Sequence, residues 1–174
     1  MIVSTLRERP PGAPFLDITT YHPCYGLAIP SPGGTVRLDH VIVSRYGVFV
    51  IERRRHDGRL EADGGLPRWT KGYPNGKRYH VPNPLGPLED GARALAAALE
   101  VPPEAVFPVL VIRGDCELGP GLPENVVMDG PAAYVRGRRE PVFTEEEVAE
   151  LRLRLKHLER KSSPAAAWEE WESF

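Results

Sequence analysis

The chain has 174 residues, of which 41% are hydrophobic, and a formal net charge of −2. This length fits one domain with a core of its own, and the small net charge excludes binding to nucleic acid through overall charge alone, so any basic footprint must be local. No apolar run is long enough to cross a membrane and the N-terminus lacks the apolar stretch of a signal peptide, so we expect a cytoplasmic protein without membrane contact.

The first 35 residues form a proline-rich segment that favours turns over a long helix. Within it, the residues from Phe15 to Tyr21 mix β-branched and aromatic side chains, and we predict a strand there. Cys24 lies in this segment, far from Cys116 and without metal-ligand spacing, so both cysteines are expected to be packed thiols.

The next feature is a β-hairpin that carries two carboxylates. Two β-branched and aromatic runs, residues 41–43 and 48–51, flank a turn at residues 44–47. If Ser44 faces Gly47, the register continues until Asp39 is opposite Glu52. Because side chains alternate along a strand, Asp39, Glu52 and Arg54 would share one face.

Directly opposed carboxylates repel each other unless positive charge lies between them. A divalent cation would supply that charge, since magnesium is often held by one or two carboxylates together with water and phosphate oxygens. The alternative is that Asp39 and Glu52 are solvated strand ends, screened by the arginines at positions 53–55. The nearby histidines, His40 and His56, are expected to be packed or solvated, as is His80.

A β-meander of short strands, at residues 59–62, 68–71 and 77–81, is predicted to follow the hairpin. Its basic side chains alternate with aromatic ones, a composition that suits phosphate contact by cations and base stacking by rings. A solvated charged face is the other interpretation. The candidate nucleic-acid-binding residues are Arg53, Arg55, Arg59, Arg68, Trp69, Lys71, Lys77 and Arg78.

A helix is predicted over Pro87–Glu100, where four apolar side chains recur at helical spacing, and a buried strand over Val106–Ile112. Shorter strands are predicted at residues 126–128 and 132–135.

The last predicted helix begins at Thr144, because Glu147 three residues later completes a capping box. Residues 161–174 then form an acidic tail with three aromatic side chains. The tail either folds back onto the domain or binds a protein partner or a second copy of the chain.

The order of these motifs resembles the nuclease-related domain family, often called NERD. The resemblance rests on LDHVIVSRYGVFVIERR, then DGRL, Trp69, NPL from Asn83, a helix, an apolar strand and the helix TEEEVAELRLRL. It spans about residues 36–160, which we take as the domain. It implies an α/β (α+β) fold of the restriction-endonuclease-like type: a central mixed β-sheet with flanking helices, here with an extra β-meander.

The family is similar to PD-(D/E)xK nucleases, and the resemblance therefore implies metal-dependent phosphodiester hydrolysis with Mg or Mn and nucleic acid, in the first place DNA, as partner. Asp39 matches the metal-binding aspartate and Glu52 the second acidic ligand, while Arg54 stands where the family usually has a catalytic lysine. The proline-rich start offers no first helix with a further carboxylate. We therefore expect a weakened site in a module that mainly binds nucleic acid or a partner, with an active Mg- or Mn-dependent DNA endonuclease as the alternative.

Overall fold

The computed structural model describes residues 16–62 and 67–162, with side chains described to residue 159. The strands are β1 His22–Ser31, β2 Gly34–Ser44, β3 Gly47–Arg55, β4 Gly58–Ala62, β5 Arg68–Gly72, β6 Arg78–Pro82, β7 Val106–Arg113, β8 Cys116–Leu118 and β9 Val126–Met128. The α-helices are α1 Leu85–Leu99, α2 Ala132–Gly137 and α3 Glu145–Ser162, and a 3-10 turn, Pro103–Ala105, precedes β7.

The central sheet has five strands in the order β1-β2-β3-β7-β9. β1, β2 and β3 pair antiparallel, whereas β7 is parallel to both β3 and β9, so the sheet is mixed. One face packs against α1 and α3 and forms the larger core, and the other face forms a smaller core that includes Val135 of α2. This mixed α/β architecture agrees with the restriction-endonuclease-like fold that was predicted.

The hairpin has the predicted register, because Ser44 pairs with Gly47, Val43 with Val48 and Val41 with Val50. Gly47 has a φ of 138°, a conformation that other residues rarely adopt. A Cβ at this position would lie 2.5 Å from the Phe107 ring, so the turn also needs glycine for space.

The strand predicted at residues 15–21 is wrong where it can be compared: residues 16–21 form an irregular turn, and residue 15 lies outside the described part. β1 begins at His22 instead and pairs with β2 along its length. It contains Pro23 and Pro30, which a strand tolerates at the edge of a sheet where one side needs no hydrogen-bonded neighbour. The expected boundary at residue 36 consequently falls within a strand pair of the central sheet.

The predicted meander is confirmed as β4, β5 and β6, which join in a second sheet of order β6-β5-β4-β8. β8 was not predicted; it pairs parallel to β4, with Leu60 beside Leu118. The link between β4 and β5, at residues 63–66, lies outside the described residues.

Both long helices are confirmed. α1 begins at Leu85, whose backbone N–H donates to Asn83 Oδ1 at 2.9 Å. At the start of α3, the Thr144 N–H donates to Glu147 Oε2 at 2.7 Å and the Glu147 N–H donates to Thr144 Oγ1 at 3.2 Å, which is the predicted capping box.

The short strand predicted at residues 132–135 is wrong, since these residues form α2. Tyr134 and Val135 favour a strand by propensity, but the Val135 N–H bonds the Pro131 carbonyl at 2.9 Å. The single helical turn buries Val135 completely against the smaller core, and this tertiary packing overrides the local preference.

Among the described helices, none is long and apolar enough to cross a membrane. Both cysteines are free; Cys24 is buried, and its Sγ donates to Glu159 Oε1 at 2.8 Å, whereas Cys116 is half-buried. The contact between Cys24 and Glu159 fixes the end of α3 beside β1. The acidic tail from residue 163 onward lies outside the described residues.

Candidate functional site

The three residues predicted to form a site line one cleft. Asp39 on β2 lies with Glu52 and Arg54 on β3, and the first turns of α1 close the opposite side. The cleft has a volume of about 450 Å³. Its lining residues are Val36, Arg37, Leu38, Asp39, Val50, Ile51, Glu52, Arg54, Pro87, Leu88 and Asp90.

A break in strand alternation accompanies the exposed position of Asp39. Cys24 and Leu27 of β1 belong to the same core although they are three residues apart, and the same holds for Leu38 and Val41 of β2. In a regular strand such pairs would point to opposite faces. The pairing register of β1 and β2 is the same on both sides of the break, and the one position that is skipped is Gly26 opposite Asp39. Gly26 has a φ of 65°.

Glu52 already has a partner within the cleft, because the Arg54 guanidinium forms an ion pair with its carboxylate. The Glu52 side chain is 21% exposed and the Arg54 side chain is 56% exposed. Arg54 therefore neutralises one of the two predicted metal ligands.

A third carboxylate, Asp90, lies on the α1 side of the cleft and was missed by the sequence analysis. It is exposed and forms an ion pair with Arg93 on the same helix. Asp90 follows Leu88 by two residues and therefore lies off the apolar stripe of α1. The helical periodicity of the apolar residues gave no reason to single it out.

The chemistry of the cleft suits a hard cation. Within residues 16–62 and 67–162, no group of three or more His, Cys, Asp or Glu side chains is arranged to hold a metal ion. Asp39 and Glu52 nevertheless offer only oxygen, and two carboxylates with water and phosphate oxygens are a set that Mg²⁺ and Mn²⁺ accept. These two residues are the ones that could hold such an ion, in competition with Arg54.

His40, next to Asp39, lies against the edge strand and is buried. Its ring stacks on Tyr25 with a centroid distance of 4.6 Å, and Arg53 Nη2 lies 3.5 Å from its Nδ1. Burial, followed by the charge of Arg53, lowers the pKa of His40 to about 4. His40 is therefore a neutral packed residue at neutral pH, as expected.

Positive charge is concentrated beside this stack. Arg55 faces Arg113 directly across β3 and β7, and the charge of Arg113 also reaches Arg53. Partial burial is the largest cause that lowers the pKa of the Arg53 guanidinium, and the Arg113 charge lowers it further. Within the described part of the chain, none of these three arginines forms an ion pair with a carboxylate.

Much of the predicted basic surface on the second sheet is already neutralised. Arg59 bonds Glu61 at 2.9 Å and Glu117 at 2.7 Å. Arg78 reaches the same Glu61 at 2.8 Å. Lys71 forms an ion pair with Asp57. This contact, together with the hydrogen bond from the Tyr73 hydroxyl, lowers the pKa of the Asp57 carboxyl. These residues form a network of opposite charges across the sheet.

Three predicted contact residues of the second sheet remain to be placed. Arg68 and Lys77 are exposed and form no ion pair among the described residues. Trp69, in contrast, is 1% exposed and belongs to the main core, so its ring has no free face for a base. The predicted stacking role of Trp69 is thereby corrected to a packing role.

The comparisons with known proteins agree with this architecture. The model of the nuclease-related domain family matches residues 8–113, more than half of the chain. An uncharacterized protein of Bacillus anthracis is 29% identical over 58 residues, which are 33% of this chain and 27% of that protein. This chain thus matches only about a quarter of that relative's length. No solved structure matches. On the family match, the chain belongs to the nuclease-related domain family.

Proposed function

We propose that this protein is a nucleic-acid-binding module, with DNA as its first target, built around a nuclease-type cleft in which metal-dependent cleavage is weakened. The observation that carries the proposal is the ion pair between Arg54 and Glu52 inside the cleft that also contains Asp39. The cleft keeps the carboxylates of a nuclease-related site, but a cation must compete for one of them.

Arg54 limits the chemistry of the cleft in a second way. A guanidinium stays protonated at any working pH, so it can bind a phosphate but cannot accept a proton from water. The lysine usual in the family has an ammonium whose pKa can shift when it is desolvated. Replacing that lysine with Arg54 therefore preserves phosphate attraction while removing a group that could take part in proton transfer.

The residues that would hold a divalent cation are Asp39 and Glu52. When bound there, Mg²⁺ or Mn²⁺ would supply Lewis acidity toward a phosphate oxygen and a lower pKa for a coordinated water. The chain itself contributes the two carboxylates, the positive charge of Arg54 for the phosphate, and the apolar wall of Val50 and Leu88.

Binding is supported by free cations on the face of β3 opposite Glu52 and Arg54. The charges of Arg53, Arg55 and Arg113 lie on adjacent strands without carboxylate partners among the described residues. Arg68 and Lys77 add two exposed charges on the second sheet. A phosphate backbone is a suitable partner for such a distribution, whereas the paired residues Arg59, Lys71 and Arg78 would first have to leave their carboxylates.

An active Mg- or Mn-dependent endonuclease is the second candidate. The retained pair of Asp39 and Glu52, with Asp90 across the cleft, favours it. In this case Asp39 and Glu52 would hold the cation, and the Arg54 guanidinium would leave Glu52 and contact the phosphate.

The deciding experiment combines binding with cleavage. Wild-type protein is titrated with labelled single-stranded and duplex DNA over a range of salt concentrations, and plasmid and single-stranded DNA are incubated with it in Mg²⁺ and in Mn²⁺. The proposal predicts salt-dependent binding with slow or absent cleavage. The double variant Arg55→Ala/Arg113→Ala should flatten the slope of log K against log salt by about 2 for duplex DNA if each arginine contacts one phosphate.

Three outcomes separate the candidates. Rapid cleavage that is lost in both Asp39→Ala and Glu52→Ala establishes the endonuclease instead of the module. Cleavage that survives both substitutions rules out this cleft as its source. An absence of binding to every polynucleotide contradicts the module.

A further inference from the structure

The exposed ring of Tyr25 lies on the sheet face that also carries His40 and Arg53, and no part of the proposed chemistry uses it. Tyr25 is 51% exposed, although large aromatic side chains are usually well covered. Its position on β1 pairs it directly with His40 on β2, and His40 is the residue next to Asp39. The ring thus lies one residue along β2 from a candidate metal ligand, across a single strand pair.

The ring is also held in place. His40 stacks beneath it with a centroid distance of 4.6 Å and an interplanar angle of 20°. His40 is itself buried, with only 6% of its surface exposed, and Arg53 contacts its Nδ1. The Tyr25 N–H lies 3.4 Å from Glu159 Oε1, which anchors the backbone of β1 against α3. One face of the ring is therefore fixed on a packed partner, which limits its conformational freedom.

The surrounding charges define the ligand. Arg55 and Arg113 are directly opposed, and like charges in that arrangement destabilise a sheet unless an anion lies nearby. Arg53 adds a third cation, whose Nη2 lies 3.5 Å from His40 Nδ1 beneath the ring. An aromatic ring beside unpaired guanidinium groups is the combination that binds an unpaired base together with its phosphate.

From this arrangement, we propose that Tyr25, supported by His40, stacks on an unpaired base of a single-stranded polynucleotide whose phosphates contact Arg53 and Arg113. The inference rests on the proposed function and narrows its ligand to single strands or unpaired regions. A base inside a duplex is covered by its neighbours and has no face to offer Tyr25. The stacked base would lie on the face of β3 that carries Arg53, whereas Glu52 and Arg54 line the cleft from the other face.

Tyr79 supplies a matched control. It is also 51% exposed, but it lies on edge strand β6 of the second sheet and its ring meets Tyr73 edge-on, 5.8 Å between centroids. Removal of either ring takes away a similar exposed aromatic surface. A difference between the two positions therefore reports the location of Tyr25 beside His40 and Arg53.

The test compares wild-type protein, Tyr25→Leu, Tyr25→Phe and Tyr79→Leu by fluorescence anisotropy. The probes are labelled oligo(dT), oligo(U), an abasic single strand of the same length, and a duplex. Leucine keeps an apolar cover over His40 but lacks the aromatic face. Circular dichroism and thermal unfolding establish that each variant is folded. If the leucine variant is unstable, the test rests on wild-type protein, and equal binding of oligo(dT) and the abasic strand overturns the stacking site.

Stacking on one base is worth roughly 1–3 kcal/mol, so wild-type protein should bind oligo(dT) about tenfold more tightly than the abasic strand. Tyr25→Leu should remove most of that preference while the salt dependence stays the same, and Tyr25→Phe and Tyr79→Leu should keep it. The ratio of the dissociation constants for oligo(dT) and oligo(U) then tells whether DNA or RNA is the better ligand.

The stacking site is overturned, and the binding module left intact, by either of two results. One is an equal loss of the preference for oligo(dT) over the abasic strand in Tyr25→Leu and Tyr79→Leu. The other is an unchanged preference in Tyr25→Leu. Failure of wild-type protein to bind any of the probes overturns the proposed function and the stacking site together. Tighter binding of the duplex than of oligo(dT), unaffected by Tyr25→Leu, also contradicts the inference.

Discussion

Arg54 and Glu52 lie two residues apart on the same face of β3, and the guanidinium forms an ion pair with the carboxylate. The charge of Arg54 thus neutralises one of the two carboxylates that are proposed to hold a divalent cation. An ion pair with this degree of exposure contributes at most about 1 kcal/mol, so it can be displaced by a modest competitor. The strength of the cleft as a cation site therefore depends on the side chain at position 54.

The first prediction concerns cation affinity. Arg54→Ala frees Glu52, and we expect Mn²⁺ to bind roughly fivefold more tightly, because an exposed ion pair of about 1 kcal/mol no longer competes. Water-proton relaxation measures the dissociation constant. Arg37→Ala is the control, since it removes another positive charge from the cleft without releasing Glu52. An equal gain in both variants would show that only net charge matters.

The second prediction concerns cleavage. Arg54→Lys restores an ammonium that can lose its proton, and we expect measurable Mn²⁺-dependent nicking of plasmid DNA where wild-type protein is slow or inactive. Arg55→Lys makes the same chemical change one residue away on the opposite face of β3 and should leave the rate unchanged. Addition of Glu52→Gln to Arg54→Lys should abolish the gain. Persistence of nicking in that double variant would place the activity elsewhere.

The third prediction concerns the backbone at Gly26. Alanine at a φ of 65° costs about 1 kcal/mol, and the same cost applies at Gly76, which has a φ of 82° and equally open surroundings. Both Gly26→Ala and Gly76→Ala should lower the free energy of unfolding by a similar amount. Only Gly26→Ala should weaken Mn²⁺ binding, because Gly26 faces Asp39 at the break in alternation. Unchanged Mn²⁺ affinity in both variants would show that the break at Gly26 does not affect Mn²⁺ binding by Asp39.

The fourth prediction concerns Trp69. Because the ring is almost fully buried in the main core, Trp69→Ala should lower the free energy of unfolding by about 3–5 kcal/mol. The neighbouring exposed residue gives the contrast: Arg68→Ala should leave stability within about 0.5 kcal/mol and weaken nucleic-acid binding instead. Chemical denaturation measures both variants. A stable Trp69→Ala protein with reduced binding would restore the stacking role.

The hairpin could be predicted because its signals are local. Two β-branched runs and a four-residue turn specify the pairing of Val43 with Val48 and of Val41 with Val50. The capping box of Thr144 and Glu147 is equally local. Residue types at fixed spacing were sufficient in both cases, because the atoms that interact are close along the chain.

The other wall of the cleft could not be predicted, because it depends on contacts between distant residues. Asp90 is brought to the cleft by the packing of α1 on the sheet. The exposed position of Tyr25 likewise depends on an edge strand whose prolines indicate turns. The pairing of Arg55 with Arg113 depends on parallel strands separated in the sequence by β4, β5, β6 and α1. Hydrophobic patterning identifies such elements but does not specify their neighbours.

The last prediction concerns acid stability and follows from His40. Burial and the charge of Arg53 lower the pKa of His40 to about 4 in the folded protein, from a reference value of 6.5. Between these values the unfolded chain binds a proton that the folded protein does not. The free energy of unfolding should therefore fall as the pH falls from 6.5 toward 4, by about 1.4 kcal/mol per pH unit and about 3 kcal/mol in all.

His40→Gln tests this account, because glutamine retains a hydrogen-bond acceptor for Arg53 but does not titrate. Urea unfolding in EDTA at several values between pH 7 and pH 4.5 gives the two stability curves. The carboxylates titrate alike in both proteins, so any difference between the two curves comes from His40. The free energy of unfolding of wild-type protein should therefore fall more than that of His40→Gln, by about 2–3 kcal/mol over this range. Parallel curves would mean that His40 is protonated in the folded protein, with its charge accommodated beside Tyr25 and Arg53.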